Sequence, residues 1–256
     1  MKTSGNTILI TGGGSGIGEA LAHRFHDCGN TVIIAGRRLE ALQRAIAGRP
    51  NMHALTLDIN SAAGVADFAQ RLLAAYPKLN VLINNAGIMR YESLDHARSL
   101  ADAEETVNTN LLGPIRLSNA LIEHLLTQPD AAIVNVTSGL AFVPLTIAPT
   151  YSATKAAIHS YTVAMREALQ GRVEVIELAP PAVQTGLTPG QETRPGYQPL
   201  ETFADEVIAL FRQQPTPREI LVERVGFLRF AQEQGRFDAA LTQINEFVAK
   251  ARGHSA

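Results

Sequence analysis

Thr7-Ile8-Leu9-Ile10-Thr11-Gly12-Gly13-Gly14-Ser15-Gly16-Ile17-Gly18 is the stretch that decides the fold. Thr7–Ile10 is a short β-branched run that leads straight into a turn of glycines, and an amphipathic stretch, Gly18–Cys28, begins where the turn ends. A strand, a glycine turn and a helix in that order make a phosphate-binding corner. Glycines permit the tight turn and the close approach of backbone to a pyrophosphate, and the helix N-terminus favours the phosphate charge. Gly12, Gly14, Ser15, Gly16, Ile17 and Gly18 are therefore candidate dinucleotide contacts.

The same rhythm continues along the chain. Thr31–Ala35, His53–Leu57, Val81–Asn84, Ala132–Thr137, Val173–Leu178 and Ile220–Glu223 read as further strands, with helical patterns at Leu39–Ala47, Ser61–Tyr76, Thr106–Leu126 and Thr150–Leu169. Strands that are continuous apolar runs, alternating with helices, imply a parallel sheet covered on both faces. The expected fold is α/β, a three-layer doubly wound parallel sheet of Rossmann type in one domain spanning residues 1–256, with ligands at the carboxyl ends of the strands. Two stretches leave the rhythm. Thr185–Leu200 holds Gly186, Pro189, Gly190, Pro195, Gly196 and Pro199, which predicts a loop placed to act as a substrate lid (185–200). The tail after Glu223 predicts a helical extension over about 227–252, with Phe227, Phe230, Phe237, Leu241, Ile244 and Val248 as core or subunit contacts and not as a cofactor site.

Composition narrows the function classes. Lys+Arg 22 against Asp+Glu 24 gives a net charge of -2, so charge offers no case for nucleic acid or a membrane surface. No apolar run approaches the ~18 residues that span a bilayer. Cys28 is the only cysteine, which excludes an intrachain disulfide and suits a reducing compartment, so a cytoplasmic protein is expected. His23 and His26 sit three apart on a helix without a carboxylate or cysteine cluster, so they predict a solvated face and no metal site. No Gly-x-Ser-x-Gly elbow appears, against a serine hydrolase.

The second strand bears on the choice of dinucleotide. It ends Ala35-Gly36-Arg37-Arg38, with no acid where one would hold a ribose 2′-hydroxyl. Arg37 and Arg38 suit a 2′-phosphate, so NADP(H) is favoured and NAD(H) stays the alternative. Asp58 and Ile59 end the third strand, where Asp58 could accept from an adenine amino group or organise a turn. Asn85, Ala86 and Gly87 end the fourth, and the small residues would let the backbone lie against a flat ring.

Tyr151-Ser152-Ala153-Thr154-Lys155 supplies the chemistry. Four apart on a helix, Tyr151 and Lys155 share one face. A phenol ionises ordinarily at about 10, and a nearby ammonium favours the phenolate, which would allow proton exchange near neutral pH. Ser138, at the end of the fifth strand, completes the constellation.

Thr11–Gly18, Asn84–Gly87, Asn110, Ser138 and Tyr151–Lys155, in this order and spacing, resemble the short-chain dehydrogenase/reductase family over about residues 6 to 225. The resemblance implies a nicotinamide cofactor and reversible alcohol–carbonyl chemistry. By it, Tyr151 is the general acid in reduction and general base in oxidation, Lys155 binds the nicotinamide ribose and lowers the Tyr pKa, and Ser138 bonds the substrate oxygen. Asn110, beside Gly113-Pro114, would support a water leading to Lys155. Pro181, Val183 and Thr185 match positions beside the carboxamide. The run Leu178–Thr185, with Pro181 where the family has glycine, is similar to that of a subgroup of oxidoreductases named for association with D-alanylation genes. Leu221-Val222-Glu223-Arg224 replaces the family's Asp-Gly-Gly ending, which weakens the case for a tetramer and leaves a homodimer through the Asn110 and Tyr151 helices as the expected assembly.

The substrate is then a small carbonyl or alcohol. Leu140, Ala141, Phe142, Val143 and Leu145, with Met89 and the lid, predict a mainly apolar pocket. The alternative function is a non-catalytic dinucleotide-binding regulator on the same fold.

Overall fold

The computed structural model describes residues 1–252. Seven parallel strands form one sheet in the order β3-β2-β1-β4-β5-β6-β7. They are β1 (Thr7–Thr11), β2 (Thr31–Gly36), β3 (Met52–Thr56), β4 (Val81–Asn84), β5 (Ala132–Val136), β6 (Glu174–Leu178) and β7 (Glu219–Ile220). Alternation along β1 shows how both faces are covered. Ile8 and Ile10 join Leu21, Phe25, Phe203 and Phe211 in one core, while Leu9 points the other way to Phe68, Leu72, Leu117 and Leu121 in a second. The first core lies under α1 (Gly16–Asp27), α2 (Leu39–Ile46) and α7 (Leu200–Phe211). The second lies under α3 (Ala62–Ala75), α5 (Gly113–Leu125) and the end of α6 (Pro149–Ala168). This is the doubly wound α/β sheet read from the sequence. The order of winding reverses at β1, with β2 and β3 added on one side and β4 to β7 on the other, so a crevice opens above the carboxyl ends of β1 and β4.

Two elements differ from expectation. The helix predicted over Thr106–Leu126 is broken into α4 (Ala101–Val107), a π turn at Asn108–Leu112, and α5. Pro114 has no N–H to give the carbonyl of Asn110, and the Gly113 N–H bonds instead to the carbonyl of Asn108, five residues back. The strand predicted at Ile220–Glu223 shrinks to Glu219–Ile220, and Glu223–Val225 is a 3-10 turn. Its partner β6 runs into Pro180-Pro181, which have no N–H to donate, so the ladder stops at the Ala179 N–H to Ile220 carbonyl bond.

The tail forms α8 (Gly226–Arg229) and α9 (Phe237–Ala251). These helices fold back over the carboxyl end of β5, where Leu228 and Ala240 pack on Val143, and Val248 packs with Leu145 and Tyr151. No described helix is long and apolar enough to cross a membrane.

Candidate active site

The glycine turn joins β1 to α1 as the sequence implies. Gly12 has φ +68, and a Cβ there would lie 2.9 Å from Ala86 Cα. Gly18 does not face the crevice; a Cβ on it would stand 2.4 Å from the Gly12 carbonyl oxygen and from Asn85 Nδ2, so it seats α1 against the strand ends. Ser15 is the N-cap of α1 but its side chain makes no capping bond, which leaves first-turn N–H groups free for an anion. Thr11 ties the two central strands together: its Oγ1 accepts from the N–H groups of Asn85 at 3.1 Å and Ala86 at 3.0 Å.

Gly12, Gly14, Ser15, Arg37, Arg38, Asp58, Ile59, Ala86 and Gly87 line one half of the crevice. The other half is lined by Gly16, Ile17, Asn85, Ser138, Tyr151, Lys155, Pro181, Val183 and Thr185. The structure thus gathers the expected cofactor residues in one continuous cleft, with Gly18 behind its floor. Asp58 Oδ1 accepts from the Asn60 N–H at 3.1 Å, so this carboxylate organises the local turn. Arg37 faces Glu105 at 3.6 Å, and Arg90 approaches the same carboxylate at 3.2 Å.

Ser138 lies two residues beyond β5 as the N-cap of the 3-10 turn Gly139–Ala141, and Tyr151 and Lys155 share the inner face of α6. Lys155 Nζ lies 5.6 Å from the Tyr151 ring centroid and donates to the Val136 carbonyl at 2.8 Å. Both side chains are buried, and burial is the largest influence on each. Burial pushes Tyr151 up to about 12, with Ser138 pulling the other way, and burial pushes Lys155 down to about 8. Each buried group resists its own charge more strongly than its neighbour offsets that resistance. Asn110 lies beneath the cleft rather than in it. Its Nδ2 donates to the Ile88 carbonyl at 2.9 Å and its Oδ1 accepts from the Ile88 N–H at 2.9 Å, while Thr154 Oγ1 on α6 lies 3.3 Å away. It pins the segment after Gly87 to the helix of Tyr151.

An apolar pocket opens beside Ser138 and Tyr151. Met89, Leu140 and Leu145 line it as expected, but Ala141, Phe142 and Val143 do not. The 3-10 turn Gly139–Ala141 turns the chain away, so Phe142 stacks edge-on to His159 at 4.9 Å and Val143 joins the core under α8. The expected lid contributes Leu187, Gln191 and Tyr197, while Tyr91, Leu228, Ile244 and Val248 join the wall without being singled out for it by the sequence. Ile244 and Val248 are thus pocket residues as well as packing residues. Apolar spacing in the tail shows that a face is buried but not what buries it.

The histidines differ from expectation too. His23 Nε2 bonds the Ala45 carbonyl at 2.7 Å and His26 Nε2 the Pro50 carbonyl at 2.6 Å, so both anchor neighbouring loops. His159, Glu177 and Glu219 form a cluster with ligand atoms within 4.8 Å of one another. There His159 Nδ1 bonds Glu177 at 2.8 Å, Thr137 donates to Glu177 at 2.7 Å, and Arg229 grips Glu219 at 3.1 Å, which makes it an ion-pair network.

A strand–glycine turn–helix corner, a serine at a strand end and a Tyr-x3-Lys helix in one cleft are matched by the family model for short chain dehydrogenase over residues 6–195. The chain belongs to the short chain dehydrogenase family. It is 40% identical over 252 residues to the uncharacterized oxidoreductase DltE of Bacillus subtilis (strain 168), covering 96% of this chain and 98% of the other. That relative bears the name of the D-alanylation locus, as the run Leu178–Thr185 suggests. Solved structures agree. Serine dehydrogenase in its closed form, complexed with NADP+, superposes with a TM-score of 0.73 at 25% identity over 81% of this chain and 89% of the other. A 3-ketoacyl-(acyl-carrier-protein) reductase from Brucella melitensis, complexed with NADH, does so with a TM-score of 0.73 at 27% identity over 84% and 93%. The matched span ends before Tyr197, Leu228, Ile244 and Val248, which complete the wall of the apolar pocket.

Proposed function

We propose that the protein is an oxidoreductase that interconverts a carbonyl and an alcohol by hydride transfer, with NADP(H) favoured over NAD(H) and Tyr151 as general acid and base. One observation carries this reading: Ser138 and Tyr151 line both the dinucleotide cleft and the apolar pocket, so they stand where the two meet. A cleft with a glycine floor, an uncapped helix N-terminus and two arginines fits a dinucleotide.

Gly14 to Ile17 would hold the pyrophosphate, Arg37 and Arg38 the 2′-phosphate, Asn85 to Gly87 the ring system, and Val183 and Thr185 the carboxamide. Bound there, the nicotinamide supplies the hydride in reduction and takes it up in oxidation. Every other task falls to the chain. Ser138 donates a hydrogen bond to the substrate oxygen. Tyr151, kept protonated by burial, gives its proton to that oxygen in reduction and recovers it in oxidation. Lys155 reaches the ribose hydroxyls from beside the phenol. Asn110 is a positioning residue: by holding Ile88 it fixes the cleft wall against α6. The 185–200 segment covers the pocket as its lid, and the exposed Val107 and Val163 on α4 and α6 suit a homodimer face.

Tyr151→Phe tests the reading. Expected is a loss of turnover of about a thousandfold, in the range of general acid–base contributions, with cofactor binding retained, followed by nicotinamide absorbance over a panel of carbonyls and alcohols. Undiminished turnover overturns the role of Tyr151. Cofactor binding by the wild type without turnover of any panel member would favour the regulator instead.

A further inference from the structure

Arg194 is buried in the lid segment, and among the described residues it has no carboxylate partner. Its guanidinium donates to the phenolic oxygens of Tyr91 at 3.5 Å and Tyr197 at 3.4 Å, and to the Pro189 carbonyl at 2.9 Å. Burial opposes its charge, but Tyr197 and Tyr91 outweigh burial and hold the guanidinium above its ordinary value. The positive charge is therefore fully present beside the two phenols, and no described carboxylate neutralises it.

Both tyrosines line the apolar pocket. The Tyr91 hydroxyl spends its proton on Thr188 Oγ1 at 3.0 Å, and Thr188 in turn donates to Gln191 Oε1 at 2.7 Å. Tyr197 differs: its oxygen accepts from Arg194, and no described group accepts its proton. A second cation, Arg252, stands 4.0 Å over the Tyr91 ring. Burial acts to raise the Tyr91 phenol, yet Thr188, Arg194 and Arg252 together hold it below its ordinary value. Arg194 and Arg252 thus set two cations against this tyrosine of the pocket wall. The polar groups of the pocket thus fall into two sets, Ser138 with Tyr151 and Tyr197 with Tyr91, while Met89, Leu145, Ile244 and Val248 supply apolar surface.

We propose that this pocket selects substrates that carry an oxyanion, a carboxylate or sulfonate, in addition to the reacting carbonyl or alcohol. The Tyr197 hydroxyl donates to the oxyanion and Arg194 supplies the charge from behind the two phenols. The inference rests on the oxidoreductase reading of the same site and extends it from reaction to substrate class.

The test compares succinic semialdehyde, an aldehyde with a carboxylate, with neutral pentanal, each with NADPH and with NADH. The expected result is a kcat/KM about tenfold or more higher for the anionic aldehyde, the scale of a hydrogen bond to a charged group. Arg194→Gln should collapse that ratio, chiefly through KM, and Arg194→Lys should restore part of it. Tyr197→Phe, which keeps the ring, should lower the ratio several-fold and guards against a misfolded Arg194 variant. Equal kcat/KM for the two aldehydes in the wild type, or an unchanged ratio in both Arg194→Gln and Tyr197→Phe, overturns the proposal.

Calorimetric titration with butanoate and butanamide decides the anion site without turnover. Butanoate binding in preference to butanamide, weakened by Arg194→Gln, supports it. Equal binding of the two, or binding of neither, overturns it. Failure of every carbonyl to react would strike the oxidoreductase reading while the titration still judged the anion site.

Discussion

Lys155 directs its ammonium to the carbonyl of Val136, 2.8 Å away, while its Nζ lies 5.6 Å from the centroid of the Tyr151 ring. The two groups are neighbours in a space that disfavours the charge of each. The cost should be visible in stability. In the unfolded chain Lys155 has its ordinary value of 10.5, and in the fold it falls to about 8. Below pH 8 the lysine is charged in both states and the fold bears the full burden, about 3 kcal/mol by linkage. Between the two values the unfolded chain holds more protons, so stability rises with pH, and above 10.5 the burden is gone. Lys155→Met should therefore gain most over wild type at pH 7, and that gain should shrink toward pH 10.5. Urea unfolding of both proteins at several pH values reads this directly. Loss of the Val136 partner subtracts at every pH, so the slope of the difference is the result that matters. A difference independent of pH would show that the ammonium is not desolvated.

The His159–Glu177 pair should act with the opposite slope. Its hydrogen bond to Glu177 raises His159, partly opposed by burial. A raised histidine stabilises the fold fully below its unfolded value, about 6.5, and the contribution fades as pH rises through the folded value. Wild type should lose more stability than His159→Gln on going from pH 6 to pH 9. Chemical denaturation of the two proteins at both pH values checks it, and parallel losses would remove the charge from the account.

The proposed 2′-phosphate contact of Arg37 and Arg38 can be tested by cofactor affinity. Their joint replacement by alanine should weaken NADPH by about a hundredfold, the scale of two charge-assisted bonds, and leave NADH far less affected. Equal losses for both cofactors, measured by titrating the reduced nicotinamide fluorescence, would refute the 2′-phosphate contact. Glu105 now holds Arg37 and Arg90. Glu105→Gln should release them and tighten NADPH several-fold.

Gly18→Ala should be costly although the helix itself would welcome alanine. The added methyl meets the backbone oxygen of Gly12 at 2.4 Å, which no rotamer can relieve. A loss of about 1–3 kcal/mol is expected from such overpacking, with weaker cofactor binding, by urea unfolding and titration. A neutral or stabilising effect would show that α1 is free to shift.

What could be read in advance follows from how local the governing forces are. Thr7–Gly18 carries a strand, a turn and a helix start within twelve consecutive positions, and each is set by steric rules of short range. The seven-strand sheet and the continuous cleft follow from repeating that unit. The proline effect at Pro114 is equally local, although only the structure shows that it yields a π turn at Asn108–Leu112. The pocket is another matter. Val248 meets Tyr151 and Leu145 from the far end of the chain, and Phe142 leaves the pocket because one 3-10 turn redirects it. Periodicity gives burial without a partner, so these contacts had no signal. Spacing places a cation beside a phenol, but only the packed fold reveals how little solvent reaches either.

The position of α9 sets an order of events during synthesis. Domains assemble from the N-terminal side as the chain emerges, so the glycine corner, Ser138 and the Tyr–Lys helix all leave the ribosome before Ile244 and Val248. A chain halted short of Phe237 would possess the glycine corner, Ser138, Tyr151 and Lys155, yet its apolar pocket would lack the wall that Ile244 and Val248 supply. That pocket is the last part of the site to be completed during synthesis, and the first lost to a premature stop.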